Sequence, residues 1–190
     1  MNQSGRSDCV EISCLGYLLR LGADCDRKLT EVLQCFGRPP LGWLMRCAGA
    51  PGAPRIFIPA AALFTLFIGA QQRYRAALAM VACALLTLGC IHLSKAGIYR
   101  ARPRATNQID RSTSFPSGHA IAGVSVYGAA AIAIGQIYPD IKEPILFMFV
   151  IGALLIGLSR ACLGFHWLSD VLAGFAVGAL ILVLCTALGV

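Results

Sequence analysis

Residues 159–170, Ser159 to Asp170, read SRACLGFHWLSD and join two strongly apolar segments through a short turn containing Gly164. Arg160 closes the first segment, and His166 and Asp170 open the second. Apolar runs on either side of so short a polar turn predict two membrane-spanning helices, Pro144–Leu158 and Trp167–Leu188. With the second helix starting at the turn, His166 and Asp170 stand at i and i+4, share a face and can hydrogen-bond. A charged pair facing into a bundle is costly in a membrane and marks function. An imidazole oriented by a carboxylate, beside a guanidinium that forks onto oxygen anions, suits metal-free phosphoryl chemistry.

The rest of the chain agrees with a membrane setting. Its 190 residues make one domain, 57% apolar and only 13% charged, with a mean hydropathy of +0.72. The fold class is therefore all-α, an integral membrane helical bundle of about five transmembrane helices plus an amphipathic N-terminal helical arm. A net charge of +7 would suggest nucleic acid in a soluble domain. Here five of the sixteen basic residues fall in the loop Lys95–Arg111, which points instead to an anionic substrate or to membrane lipid headgroups as partners, with no nucleic acid. Nine cysteines without a C-x-x-C, and three histidines, make a structural zinc site improbable. The five cysteines before Ile56 are odd in number and read as mostly free thiols, and the polar amino terminus does not read as a signal peptide.

Residues 1–55 are expected to form the arm and 56–190 the transmembrane domain. From Cys9 to Phe36 apolar residues recur at helical spacing, but charges interrupt too often for a span. One or two amphipathic helices result, lying on the membrane surface or packing on their own protein. Arg38-Pro39-Pro40 and Pro51-Gly52-Ala53-Pro54 break helix on either side of a short piece around Trp43–Cys47. The first three spans are Ile56–Ala70, Ala76–Ser94 and Ser117–Ile137. In the last span Gly174 and Gly178 form a G-x-x-x-G pair suited to close helix packing. Alternating five spans places Lys95, Ser117, Arg160 and His166 on one side of the membrane, with the arm.

Three clusters meet there. Lys95 and Arg102-Pro103 leave the second span; alone they could be interfacial snorkelling cations. Pro116-Ser117-Gly118-His119 opens the third, where Ser117 can cap the helix and the Gly118 and His119 amides face an anion. The third cluster is the opening stretch. Together, Lys-x6-Arg-Pro, Pro-Ser-Gly-His and Ser-Arg-x5-His-x3-Asp, complete and in order over residues 95–170, resemble the signature of the type 2 phosphatidic acid phosphatase (PAP2) superfamily, membrane lipid phosphatase branch.

The resemblance implies a nucleophile at His166, which would form a phosphohistidine, and Asp170 to orient it. His119 would be the general acid and then base. Lys95, Arg102, Arg160, Ser117 and the Gly118 amide would hold the phosphate oxygens. It implies no cofactor and no metal. Arg100, Arg104 and Arg111 fall outside the signature and read as headgroup or loop residues, and His92 as a helix-end residue. Membrane members usually have six spans, so the arm stands where a first helix is expected. The implied function is hydrolysis of a terminal phosphate from a lipid phosphate or polyprenyl diphosphate. A phosphotransferase using an alcohol acceptor and a non-catalytic lipid-binding protein are the alternatives. The positive-inside rule would put the arginine-rich end in the cytoplasm; the resemblance puts it at the periplasmic or luminal face.

Overall fold

Gly118–Ile137 is so rich in alanine and glycine that neighbouring helices can approach it from several sides, and it becomes the axis of the bundle. The computed structural model describes residues 14–103 and 113–187, all helix or short connection. Seven α-helices are described: α1 (Cys14–Gln34), α2 (Leu41–Gly49), α3 (Pro54–Ala70), α4 (Tyr74–Gly97), α5 (Gly118–Ile137), α6 (Lys142–Cys162) and α7 (Leu168–Ala187). Helix α5 packs against α3, α4, α6 and α7.

Close packing is visible at the glycines of α7. A Cβ on Gly174 would lie 2.7 Å from the Ser117 carbonyl oxygen and 2.8 Å from Ala120 Cβ; one on Gly178 would lie 2.8 Å from the Ile121 carbonyl oxygen. The expected G-x-x-x-G contact is therefore the α5–α7 seam. Between α4 and α5 the Ser125 hydroxyl donates to the Ile121 carbonyl at 2.8 Å and receives the Thr87 hydroxyl at 2.7 Å. These buried polar groups tie the helices where no water can. The largest apolar cluster joins Phe57, Ile68, Met80, Ile121, Val126 and Ile181. Outward, Leu63, Leu78, Leu85, Phe147 and Leu180 are exposed, as lipid-facing side chains should be.

Helices α4, α5, α6 and α7 are long and apolar enough to cross a membrane. The 17-residue α3 is about 25 Å long, short of a hydrocarbon core of roughly 30 Å. Helix α2 with its 3-10 extension meets α3 at a bend of 50°, and together they qualify as a fifth span. Four spans plus this broken one agree with the expected five. Their ends run beyond the sequence estimates: α4 continues to Gly97 and α6 to Cys162, which places Lys95 and Arg160 within last helical turns.

Of the two placements open to the arm, one face of α1 packs on its own protein. Buried Thr30 and partly buried Leu33 sit against the α6–α7 end. The neighbouring stripe of Leu29, Val32 and Phe36 stays 48%, 62% and 50% exposed. Helix α2 packs on α6. Arg104, Arg111 and the whole loop between them lie outside the described residues.

Candidate active site

The turn after α6 is built so that His166 points back into the bundle. Gly164 has φ 76°, a conformation a side chain would oppose. The amides of Phe165 and His166 both donate to the Arg160 carbonyl, at 3.0 and 3.3 Å. The Phe165 ring lies 4.4 Å from the Arg160 guanidinium carbon, and the Phe165 carbonyl accepts Arg102 Nη1 at 3.1 Å. The turn thus collects one signature arginine from each side.

Lys95, Arg102, Gly118, His119, Arg160 and His166 line one pocket of about 110 Å³, with Gly52, Pro54 and Ile91 as its other walls. The convergence expected from counting helices is what the fold delivers. That volume is about four times a water's share of liquid, roughly 30 Å³. Among the described residues three cations line it, which makes it complementary to a multiply charged anion of this size. Ser117 does not line this pocket. It is fully buried, makes no side-chain cap bond to α5, and its Oγ, like Arg160 Nε, has no hydrogen-bond partner. The expected Ser117 cap is therefore corrected: the helix is entered through the Ser117 amide, which donates to the Asp170 carbonyl at 3.0 Å.

The expected His166–Asp170 bond is also revised. Helix α7 begins at Leu168, so His166 precedes it and the i, i+4 geometry does not apply. His166 Nδ1 lies 2.6 Å from the Ser114 carbonyl oxygen and 3.8 Å from Asp170 Oδ2. A carbonyl can only accept, so Nδ1 carries the hydrogen and Nε2 holds the lone pair in the neutral ring. Burial pushes the His166 pKa below the ordinary 6.5; the Asp170 carboxylate and the Ser114 carbonyl oppose this, and the Arg102 charge adds to it. The ring is neutral near pH 7. His119, in the first turn of α5, makes no hydrogen bond to another described residue.

Asp170 is fully buried and anchored elsewhere. Its Oδ2 accepts the Trp167 amide at 2.9 Å, in the manner of a capping box, and its Oδ1 accepts Arg100 Nη1 at 2.5 Å. Arg100, read from sequence as a loop residue, also reaches Asp26 Oδ2 of α1 at 2.7 Å and Ser169 Oγ at 2.7 Å. Asp26 Oδ1 accepts the Ser169 amide at 2.9 Å, and Thr30 Oγ1 accepts the Leu168 amide at 3.0 Å. The amphipathic arm thus caps the helix that follows His166. Sequence reasoning missed Ser114, Arg100, Asp26 and Thr30; only Arg100, flanked by signature residues, stood where it could have been suspected. Among the described residues no three His, Cys, Asp or Glu side chains gather to hold a metal ion.

Fold and pocket together define a multi-pass membrane protein with a phosphate-sized, cation-lined histidine site at one end of a helical bundle. A sequence profile of the PAP2 superfamily matches residues 76–189, and the chain belongs to that superfamily. Phosphatidylglycerophosphatase B of Bacillus subtilis is 35% identical over 91 residues, an alignment spanning 46% of this chain and 45% of that protein. The crystal structure of a transmembrane PAP2-type phosphatidylglycerolphosphate phosphatase from Bacillus subtilis superposes with a TM-score of 0.77 at 25% identity, covering 88% of this chain and 85% of that one. Aquifex aeolicus LpxE shares the fold, with a TM-score of 0.66 at 18% identity over 84% of this chain and 93% of that one.

Proposed function

We propose that this chain is a lipid phosphatase that removes a terminal phosphate through a phosphohistidine at His166. One observation carries the reading: the Ser114 carbonyl, 2.6 Å from Nδ1, leaves Nε2 as the nucleophilic nitrogen of a ring in the wall of a three-cation pocket. Nε2 attacks phosphorus while the bond to the ester oxygen breaks, and His119 gives that oxygen its proton. His119 then takes a proton from water, whose oxygen attacks the phosphohistidine; phosphate leaves and Nε2 regains its lone pair. Lys95, Arg102 and Arg160, with the Gly118 amide, stabilise charge on the oxygens. The Asp170 carboxylate, 3.8 Å from Nδ1, offsets the positive charge that the ring acquires on phosphorylation.

A second opening supports a lipid substrate. A groove of about 360 Å³ between α3, α5 and α6 is lined by Pro51, Phe64, Tyr127, Phe149 and Ile156. Ile156 also touches Gly52, a wall of the phosphate pocket. The apolar groove on the bilayer flank therefore abuts the phosphate pocket across Ile156 and Gly52. The phosphatidylglycerophosphatase relatives make phosphatidylglycerophosphate the first lipid to try, ahead of phosphatidic acid and polyprenyl diphosphates. The family resemblance favours the periplasmic or luminal face for the site; the exposed free thiols Cys25 and Cys47, on the arm at that end, report the side to a membrane-impermeant label.

The test is phosphate release by protein purified in detergent, from these lipids and from a soluble phosphomonoester, with chelator present. Release from lipids that survives chelation and vanishes in His166→Ala supports the reading. Release that His166→Ala retains would remove His166 from its role. Transfer of phosphate to an added alcohol, in place of water, would make the protein a phosphotransferase.

A further inference from the structure

A larger chamber, of about 740 Å³, lies outside the phosphate pocket, and the two share His119 and Arg160 as walls. Among the described residues the chamber wall also carries Arg46 of α2 and Arg55 of α3 and no carboxylate. Neither arginine forms an ion pair among the described residues, and neither belongs to the catalytic set.

Arginines at a membrane surface often snorkel to no specific end, but the backbone between these two is fixed against the catalytic residues. A Cβ on Gly49 would lie 2.5 Å from Ser159 Oγ and 3.4 Å from Arg160 Nη1. One on Gly52 would lie 2.9 Å from both Cβ and Cδ2 of His119. Between them the Pro51 carbonyl accepts the Tyr127 hydroxyl at 2.8 Å. The two glycines allow the turn to sit directly on His119 and Arg160, and Arg46 and Arg55 leave it three residues to either side. Their backbone is thus held at a set offset from His119 and Arg160, with the open chamber beside them.

A single phosphate would be neutralised by Lys95, Arg102 and Arg160 in the inner pocket, leaving the outer pair without an anion. We infer that Arg46 and Arg55 form a second anion subsite, which receives a phosphate of the same substrate that is not transferred. The inference rests on the phosphatase reading and narrows its substrate class to lipids with two phosphates. That second group is either the inner phosphate of a diphosphate or a phosphodiester beside a terminal monoester.

The experiment compares lipids with two phosphates against lipids with one: farnesyl diphosphate against farnesyl monophosphate, and phosphatidylglycerophosphate against phosphatidic acid, which lacks its glycerol phosphate. The wild type and Arg46→Ala, Arg55→Ala and double variants are assayed for kcat/KM. Binding of the same lipids is measured with His166→Ala alone and with both arginines also replaced. In at least one pair, losing both arginines should lower the preference for the two-phosphate lipid by about fivefold or more, mainly through KM. Arg46→Lys and Arg55→Lys should restore part of it. The pair that responds names the diphosphate or the phosphodiester as the source. An unchanged preference in both pairs, or equal losses for both members of each pair, would overturn the subsite. Should the wild type release no phosphate at all, the catalytic reading fails, while the binding comparison still decides the subsite.

Discussion

Replacing Asp26 with Asn tests whether the amino-terminal arm is part of the catalytic architecture. The Asp26 side chain is 11% exposed and its Arg100 partner 33%. Its carboxylate accepts the Ser169 amide at 2.9 Å, the Ser169 hydroxyl at 2.5 Å and Arg100 Nη2 at 2.7 Å. Asn can still accept from the Ser169 amide but turns an NH2 towards Arg100 or the Ser169 hydroxyl. Charge-assisted hydrogen bonds contribute roughly 1.5–3 kcal/mol when buried, and partial exposure of Arg100 cuts its share to about 1 kcal/mol. The expected loss is roughly 2–3 kcal/mol, or about 4–12 °C in melting temperature for a chain of this size. Arg100 also holds Asp170, so kcat should fall about tenfold or more. The assay pairs thermal unfolding in detergent with phosphate release, and Asp24→Asn is the control. Asp24 lies two residues away on the same helix, in a pair with Arg27 whose side chains are 61% and 57% exposed, and should matter by under about 0.5 kcal/mol. A cycle adding Arg100→Gln should show strong coupling to Asp26. Asp26→Asn behaving like Asp24→Asn in both assays would refute the reasoning.

The lowered pKa of His166 gives a signed pH effect. Below the ordinary imidazole value of about 6.5, the unfolded chain binds a proton at His166 that the native chain does not. Stability should therefore fall as pH drops from about 7 towards 5.5, and part of that slope should vanish in His166→Asn, measured by denaturant or thermal unfolding across pH. Gly174→Ala puts a methyl 2.7 Å from the Ser117 carbonyl oxygen and should cost about 1–3 kcal/mol by parting α5 from α7. Gly89→Ala, with nothing within 4 Å, should be neutral or slightly stabilising in the same unfolding assay. Gly164→Ala forces a side chain into φ 76° and should cost about 1–2 kcal/mol, with a fall in kcat because the turn carries His166.

The membrane bundle was readable because charged residues are sparse against an apolar background, so span ends and chemistry-bearing residues coincide. Lys95, His119, Arg160 and His166 could be brought together from helix parity alone, before any contact was known. Ser114 could not, since it contributes a carbonyl that any residue possesses. Asp26 and Thr30 were hidden for another reason. Their partners lie 143 and 138 residues away, and helical periodicity marks an apolar face without saying what covers it. The same pattern left the arm equally suited to membrane or protein, and α1 in fact buries one face and exposes a neighbouring apolar stripe. The pair expected from His166 and Asp170 is a 3.8 Å contact and not a close hydrogen bond, because Asp170 caps the helix from within, so α7 starts after His166 instead of through it.

The central claim is that His166 becomes covalently phosphorylated. It is tested most directly by quenching the enzyme during turnover of a lipid phosphate and locating phosphate by peptide mass spectrometry, with His119→Ala included to slow hydrolysis of the intermediate. The account predicts an acid-labile phosphate on His166 that accumulates in His119→Ala and is absent from His166→Ala. Turnover by an active wild type with no phosphate on His166 under any quench, or with the label on another residue, would contradict it.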